Sequence, residues 1–508
     1  MSGKLFGAQT LPLIEEIHCS LSANMDLLDR FRGRPFSFLL DSGMDPRRLG
    51  RYSFLGCDPF LVLSSRGRNV RVDCGDRILD FDADPLDCLR DLLRRYHLTG
   101  RPGLPPFFGG AVGYLAYDLG RLLEVLPRWA EDDLGLPELY LGFYDAVVAI
   151  DHLQNRSFII STGLPEVEPA LSRRRALDRL EELKDLVTGP VSRLTELYSD
   201  GLQGDGPMRS AANRVSSVRG SLKSNFTPEE YCGAVTRAKE YIAAGDIYQV
   251  NLSQRFTADL TVPPVQLYRR LREINPAPFA SYLDFGELQV VSASPERFLK
   301  LGGRQVETRP IKGTRPRGAD PAADWLNREA LWNSEKDRAE LLMIIDLERN
   351  DLGRVCQIGS VKVPELYTLE SYATVHHLVS TVTGVLPPDR DVVDLLKAAF
   401  PGGSITGAPK IRAMEIIEEL EPVRRGIYTG SIGYIGFNGD ADLNIVIRTL
   451  IAHRDRVYLQ VGGGIVADSV PEQEYQETLD KGRALFDALM SAGQSPGRAE
   501  EEEKCCVT

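Results

Sequence analysis

An α+β fold is what this chain predicts, and two patterns carry the prediction. Between about residues 10 and 190, short apolar runs such as Phe36-Ser37-Phe38-Leu39-Leu40 and Leu139-Tyr140-Leu141-Gly142-Phe143-Tyr144 are broken by Gly, Pro and Asp, as strands and turns are. From about residue 227 to 488, strand-like runs alternate with long amphipathic stretches of helical period. Helical patterns also interrupt the first block, at Pro85 to Tyr96 and at Pro169 to Val187. Residues 191–226 lose apolar periodicity and fill with Ser, Gly, Asp and Arg, which reads as a linker or excursion. Thr227-Pro228-Glu229-Glu230 then supplies an N-cap, a first-turn proline and first-turn acids for a helix. The segment 491–508 is polar and ends Glu500-Glu501-Glu502-Glu503-Lys504-Cys505-Cys506-Val507-Thr508. Its last four residues formally fit a prenylation box, but nothing else points to a membrane, and an acidic tail with two thiols is the plainer reading.

Composition narrows the function. The 508 residues, 43% hydrophobic and 26% charged, are those of a globular protein, and no apolar run reaches the roughly 18 residues of a membrane helix. The first residues, Met1 to Gly7, show no signal-peptide pattern, so a cytoplasmic protein is expected. The eight cysteines have no metal-site spacing and read as reduced thiols. A net charge of −12 argues against nucleic-acid binding and means that any anionic substrate needs local cations, backbone N–H groups or a metal ion to hold it.

Lys312 lies in Pro310-Ile311-Lys312-Gly313-Thr314, with Glu296 sixteen residues upstream in Ser294-Pro295-Glu296-Arg297-Phe298. Ile311 suggests a strand, and Gly313 permits close approach because it has no Cβ. A lysine that loses its hydration there drops its pKa and becomes a nucleophile; a lysine snorkelling at the surface is the competing reading. Two acidic pairs, Asp337 with Glu340 and Glu474 with Glu477, have the three-residue spacing that puts both carboxylates on one helix face. A hard cation such as Mg²⁺ would relieve their repulsion, while a solvated face with partners such as Glu477 and Lys481 is the alternative. Asp346 to Arg354 reads as a capped, salt-bridged turn after a helix. Pro401-Gly402-Gly403-Ser404-Ile405-Thr406-Gly407-Ala408-Pro409-Lys410 is not a phosphate loop, since Ala-Pro parts the glycine from the lysine; it leads into a helix from Lys410 to Leu420. Gly462-Gly463-Gly464 follows a strand pattern and suits an N–H nest for a carboxylate. Arg448, on the apolar strand pattern from Asn444, is either a bidentate clamp or half of a structural ion pair.

In this order, these motifs strongly resemble the chorismate-utilising enzymes, from Gly245-Asp246-Ile247-Tyr248-Gln249-Val250-Asn251-Leu252-Ser253 to Lys481. Leu39-Leu40-Asp41-Ser42-Gly43 and Gly50-Arg51-Tyr52-Ser53 look like the N-terminal region of the same family. The resemblance implies two large, mainly antiparallel sheets packed face to face with helices outside. Family members that add water carry lysine where this chain has Gln249, and anthranilate synthases usually carry alanine where it has Lys312. Gln249 thus argues against the members that add water, while Lys312 and the form of the motif Pro401-Gly402-Gly403-Ser404-Ile405-Thr406-Gly407 resemble the branch that aminates chorismate at C4, the alternative being amination at C2 with loss of pyruvate. What the resemblance implies for the site follows residue by residue. Lys312 would be the nucleophile and Glu296 the general acid. Glu340 and Glu477 would be Mg²⁺ ligands with Asp337 and Glu474 beside them. Gly313, Thr314, His377, Ser404, Tyr428, Arg448, Gly462, Gly463, Gly464 and Lys481 would surround chorismate. Ser42, Leu49, Gly50, Arg51, Tyr52, Pro278, Phe279 and Ala280 match a pocket that holds tryptophan in the family. No glutaminase segment is recognisable, so ammonia is expected from a separate glutamine amidotransferase subunit.

Overall fold

The computed structural model describes residues 5–6, 11–17, 24–42, 44–45, 47–100, 103–189, 222–372 and 375–491. The linker read at 191–226 lies outside them up to residue 221, and the acidic tail after Ser491 lies outside them entirely.

Among the described residues the strands form one sheet of thirteen and one of twelve, antiparallel at every pairing between them. The larger has at its centre Tyr52–Gly56, Phe38–Asp41, Phe279–Asp284, Leu288–Ser294, Thr449–His453, Arg456–Ile465 and Gln249–Asp259 as successive neighbours. The smaller runs from Ile311–Pro316 at one edge through Val375–Val385, Gln305–Arg309, Arg297–Gly302, Ala441–Asn444, Ser431–Gly436 and Gly110–Leu115 towards Ile78–Asp82. Each sheet takes strands from both sides of the undescribed stretch at 190–221.

Aromatic residues fill the space between the sheets. Phe38 and Phe54 come from the larger sheet, and Tyr114, Tyr144 and Tyr434 from the smaller. Phe54 meets Phe107 edge-on at 5.4 Å and Tyr434 at 5.5 Å between ring centroids, the geometry that aromatic quadrupoles favour. Helices cover the outer faces: Pro471–Ser491 lies on the Arg456–Ile465 strand and Glu335–Gly353 on the Val375–Val385 and Ile311–Pro316 strands. Thr227 caps its helix as expected, with a reciprocal capping box to Glu230. No described helix is long and apolar enough to cross a membrane.

Two crossovers between the sheets matter most. The chain leaves the larger sheet at Ser294 and enters the smaller at Arg297, so Pro295 and Glu296 span the gap. It returns between Asn444 and Thr449. The crossovers are tied together: the Ser294 hydroxyl donates to the Ile445 carbonyl at 2.6 Å, and the Ile445 N–H donates to the Glu296 carbonyl at 3.0 Å.

Three local expectations are corrected here. Arg448 is not on a strand but in the return crossover, at φ +54°, because the chain must turn there to change sheets. The glycine triplet lies inside the strand Arg456–Ile465, paired with Gln249–Asp259, so its backbone is extended and lacks the turn that a nest requires. Residues Asp346 to Gly353 continue the helix that begins at Glu335, since i,i+3 pairs such as Asp346 with Arg349 at 2.7 Å support it and no breaker intervenes.

Candidate active site

The strand Ile311–Pro316 carries a bulge between Lys312 and Thr314 against its partner Val375–Val385. Gly313 makes the bulge possible: it sits at φ +78°, and a Cβ there would lie 2.8 Å from both Asp337 Cγ and Leu331 Cδ1. Next to it, Lys312 Nζ donates to the Ser404 carbonyl at 3.1 Å. Burial pushes the Lys312 pKa below its ordinary value; Glu340 and Glu296 work against the shift and Lys481 adds to it. The amine is therefore held by a neutral acceptor in surroundings that favour its free base.

Glu296 enters from the first crossover and is buried. Burial raises its pKa, while the Ser404 hydroxyl, the Lys312 charge and the Ile311 N–H oppose the rise. The Gly403–Ile405 turn thus touches both groups, Lys312 through a main-chain oxygen and Glu296 through a side chain. That turn belongs to the glycine-rich segment, and Lys410 pins the segment by donating to the Ala399 and Pro401 carbonyls at 3.0 and 2.9 Å and pairing with Asp351 at 2.5 Å.

Facing the lysine are carboxylates from two helices. Glu340, from Glu335–Gly353, has its pKa raised by burial, with the Asp337 and Glu477 charges adding to the effect and Lys312 opposing it. On Pro471–Ser491, burial disfavours ionisation of Glu477, yet the Lys481 ammonium 2.5 Å away holds its pKa below the ordinary value. Burial raises the Glu474 pKa; one oxygen accepts from Ser469 at 2.6 Å, and the other is buried without a partner. Gly463 forms the wall between them, for a Cβ there would lie 3.3 Å from Glu474 Oε2 and 3.4 Å from Glu477 Oε1. Asp337 stands apart, paired with Arg315 at 2.9 Å. Among the described residues no three acidic, His or Cys side chains gather closely enough to enclose a metal by themselves. Two facing carboxylates and an unpartnered oxygen fit Mg²⁺, which takes one or two carboxylates and completes its shell with substrate oxygens and water.

The remaining wall is cationic or neutral. Arg448 donates to the Lys481 carbonyl and has no carboxylate within 4.0 Å among the described residues; burial lowers its pKa. A buried guanidinium without a matching anion is suited to receive one from a ligand. Burial pushes the Tyr428 phenol up to about 12, so it remains a hydrogen-bond donor. His377 is buried, shares a 2.8 Å hydrogen bond through Nδ1 with the Thr314 hydroxyl, and is driven by burial to a pKa of about 3, which keeps it neutral. Lys481 also donates to the Gly462 carbonyl at 3.0 Å. Gln249 is fully buried with neither amide atom hydrogen-bonded, and a Cβ on Gly464 would come within 2.3 Å of its nitrogen.

Sequence motifs scattered over more than two hundred residues therefore converge on one site. The chorismate binding enzyme family matches residues 38–487. The chain belongs to that family. It is a chorismate-utilising enzyme with the family's architecture of two large antiparallel sheets. It is 42% identical over 459 residues to aminodeoxychorismate synthase component 1 of Klebsiella aerogenes, covering 90% of this chain and 94% of that one. It is 41% identical over 495 residues to anthranilate synthase component 1 of Pseudomonas aeruginosa, covering 96% and 97%. The crystal structure of anthranilate synthase component I from Streptococcus pneumoniae matches with a TM-score of 0.70 at 34% identity, covering 86% of this chain and 92% of that one.

A second group of expected residues gathers on the larger sheet. The Ser42 hydroxyl donates to the Pro278 carbonyl at 3.4 Å, and Ala280 pairs in register with Asp41. Leu49 and Gly50 close a turn on the Asp45 carbonyl, Arg51 pairs with Asp151 at 2.8 Å and lies over the Tyr52 ring, and Arg297 lies over the Phe279 ring. Sequence reasoning missed Arg425, which is buried, paired with Glu421 at 2.7 Å, and donates to the Ile405 and Asn251 carbonyls. The pair lies past the end of the helix Lys410–Leu420, so no helical spacing marks it in the sequence.

Proposed function

We propose that this enzyme aminates chorismate at C4 to give 4-amino-4-deoxychorismate, using ammonia from a separate glutamine amidotransferase subunit. The observation that carries the reading is the Lys312 amine, depressed in pKa by burial and joined through one turn to the raised carboxyl of Glu296. Nucleophile and acid thus have opposite shifts, each towards the protonation state its role needs.

Lys312 attacks C2 through its lone pair; both ring double bonds shift towards C4, and the C4 hydroxyl leaves with the proton of Glu296, as water. Ammonia then adds at C4, both double bonds shift back as the C2–N bond to Lys312 breaks, and the Glu296 carboxylate takes a proton from the new ammonium group. The net change is chorismate plus ammonia to amine plus water, with lysine and acid restored. Arg448 and the Tyr428 phenol would hold one substrate carboxylate. Glu340 and Glu477 would hold Mg²⁺, which supplies positive charge for the other when bound. Gln249 supports ammonia as the incoming group, because an amide cannot serve as the base that water would need. The component 1 names of the relatives support a partner subunit.

A second reading, amination at C2 with loss of pyruvate, has the support of a relative of nearly equal identity. The protein is to be incubated with chorismate, Mg²⁺ and ammonium, and its products separated by chromatography with mass detection. 4-Amino-4-deoxychorismate without pyruvate is expected; anthranilate and pyruvate in equal amounts would replace this proposal with the second reading.

A further inference from the structure

The carbonyl that receives Lys312 has another donor. Ser404 O accepts Lys312 Nζ at 3.1 Å and Asn251 Nδ2 at 2.7 Å, which uses both of its lone pairs. Asn251 is bound to the same turn by its main chain. Its N–H donates to the Thr406 carbonyl at 2.8 Å, and Arg425 bridges the Asn251 carbonyl at 2.7 Å and the Ile405 carbonyl at 3.0 Å. Arg425 is anchored in turn by Glu421, which accepts from both the N–H and the hydroxyl of Ser253 at 2.9 and 2.8 Å. The strand Gln249–Asp259 of the larger sheet therefore fixes the turn that holds an amine belonging to the smaller sheet.

We propose that Asn251 is a positioning residue for the Lys312 amine: by tying down the Ser404 carbonyl it aims the Lys312 nitrogen, and so sets the rate of its attack without contributing to substrate affinity. The inference rests on the reading of Lys312 as nucleophile. A neutral amine that gives one N–H to a fixed oxygen has its lone pair restricted to a narrow cone. If the oxygen moves, the cone moves with it. Displacements of about 1 Å cost on the order of a hundredfold in rate where a reacting pair must meet at a set angle. Asn251 supplies the side-chain bond that resists such motion, while the Arg425 and Thr406 contacts keep the main chain in place when that bond is removed.

The experiment is a double-mutant cycle. Asn251→Ala and the nearly isosteric Asn251→Asp, which has no N–H to donate, are made in the wild-type and Lys312→Ala backgrounds. The parameters kcat and KM for chorismate are measured at saturating ammonium, and the Lys312 adduct formed with chorismate alone is timed by mass spectrometry. Expected are a fall in kcat of roughly ten- to a hundredfold with KM within about twofold, adduct formation slowed by the same factor, and no further loss in the Lys312→Ala background. A raised KM with unchanged kcat would make Asn251 a substrate ligand instead. An equal loss in the Lys312→Ala background would make it support for the fold. If the wild-type adduct forms and Asn251→Ala forms it just as fast, this inference alone is overturned. If wild-type protein forms no adduct, the reading of Lys312 falls and takes the inference with it.

Discussion

Two polar regions, some of whose residues the sequence singles out, are built on opposite principles. Around Asp41 the charges are matched. Its buried carboxylate takes the Arg272 guanidinium and the Tyr268 hydroxyl, the latter at 3.0 Å, and Arg51 is paired with Asp151. In the proposed active site they are matched only in part: Glu477 is paired with Lys481 and Asp337 with Arg315, but other groups lack a charged partner. Lys312 rests on a carbonyl, Arg448 on another carbonyl, Glu474 keeps a buried oxygen without a partner, and Gln249 has both amide atoms unbonded. Burying an unmatched charge or polar atom costs free energy that folding alone does not recover. The first region stabilises itself, whereas the second is completed only by something that brings anions, a cation and hydrogen-bonding groups. Under the proposed function, chorismate, a dianion, together with Mg²⁺ would be that something.

The contrast breaks most visibly at Lys312. Lys312→Ala is expected to lower the rate of 4-amino-4-deoxychorismate formation by at least about a hundredfold while the protein keeps its fold. Steady-state product analysis with circular dichroism as a control checks this, and a variant with wild-type rate would return Lys312 to the class of snorkelling lysines. Next in size come Glu340→Gln and Glu477→Gln. Each should cost roughly ten- to a hundredfold in activity at ordinary Mg²⁺, partly restored by excess Mg²⁺. Titration of activity against Mg²⁺ decides, and an unchanged half-saturating concentration in both variants would sink the ligand assignment.

Ser404→Ala sharpens the comparison through pH. The Ser404 hydroxyl favours the Glu296 carboxylate, so its loss should raise the Glu296 pKa further. The acid then keeps its proton to higher pH, and the alkaline limb of adduct formation should move up by about half a unit, the worth of one hydrogen bond. A limb that stays in place or moves down would separate Ser404 from Glu296. The smallest effect on turnover belongs to the matched region. Arg272→Ala should leave kcat within about twofold yet cost about 3 kcal/mol of stability, because it strips the cation from a buried carboxylate. Urea unfolding measures the second quantity. Loss of turnover without loss of stability would mean that the Asp41 region acts on the cleft.

Much of the cleft was legible in the sequence, because its chemistry sits in compact motifs. The Lys312-Gly313 pair, the acids spaced at three and the capped helix at Thr227 are local patterns whose physics does not depend on distant residues. The errors arose where one strand pattern conceals a change of sheet. The apolar run from Asn444 to Ile447 reads as strand, yet three of those residues bridge two sheets, and this crossover gives Arg448 its left-handed backbone. The glycine triplet likewise reads the same whether it turns or stays extended; pairing with Gln249–Asp259 decides it.

By itself, then, the sequence determined the local alphabet: the strands and helices, the reactive lysine beside a glycine, the paired acids and the resemblance that orders them. Tertiary structure alone decided which of the polar groups remain without partners. Whether Arg448 finds a carboxylate, or Gln249 a hydrogen bond, depends on side chains brought together by sheet pairing over hundreds of residues. Periodicity says which side of an element is buried, but not what chemical group it will face.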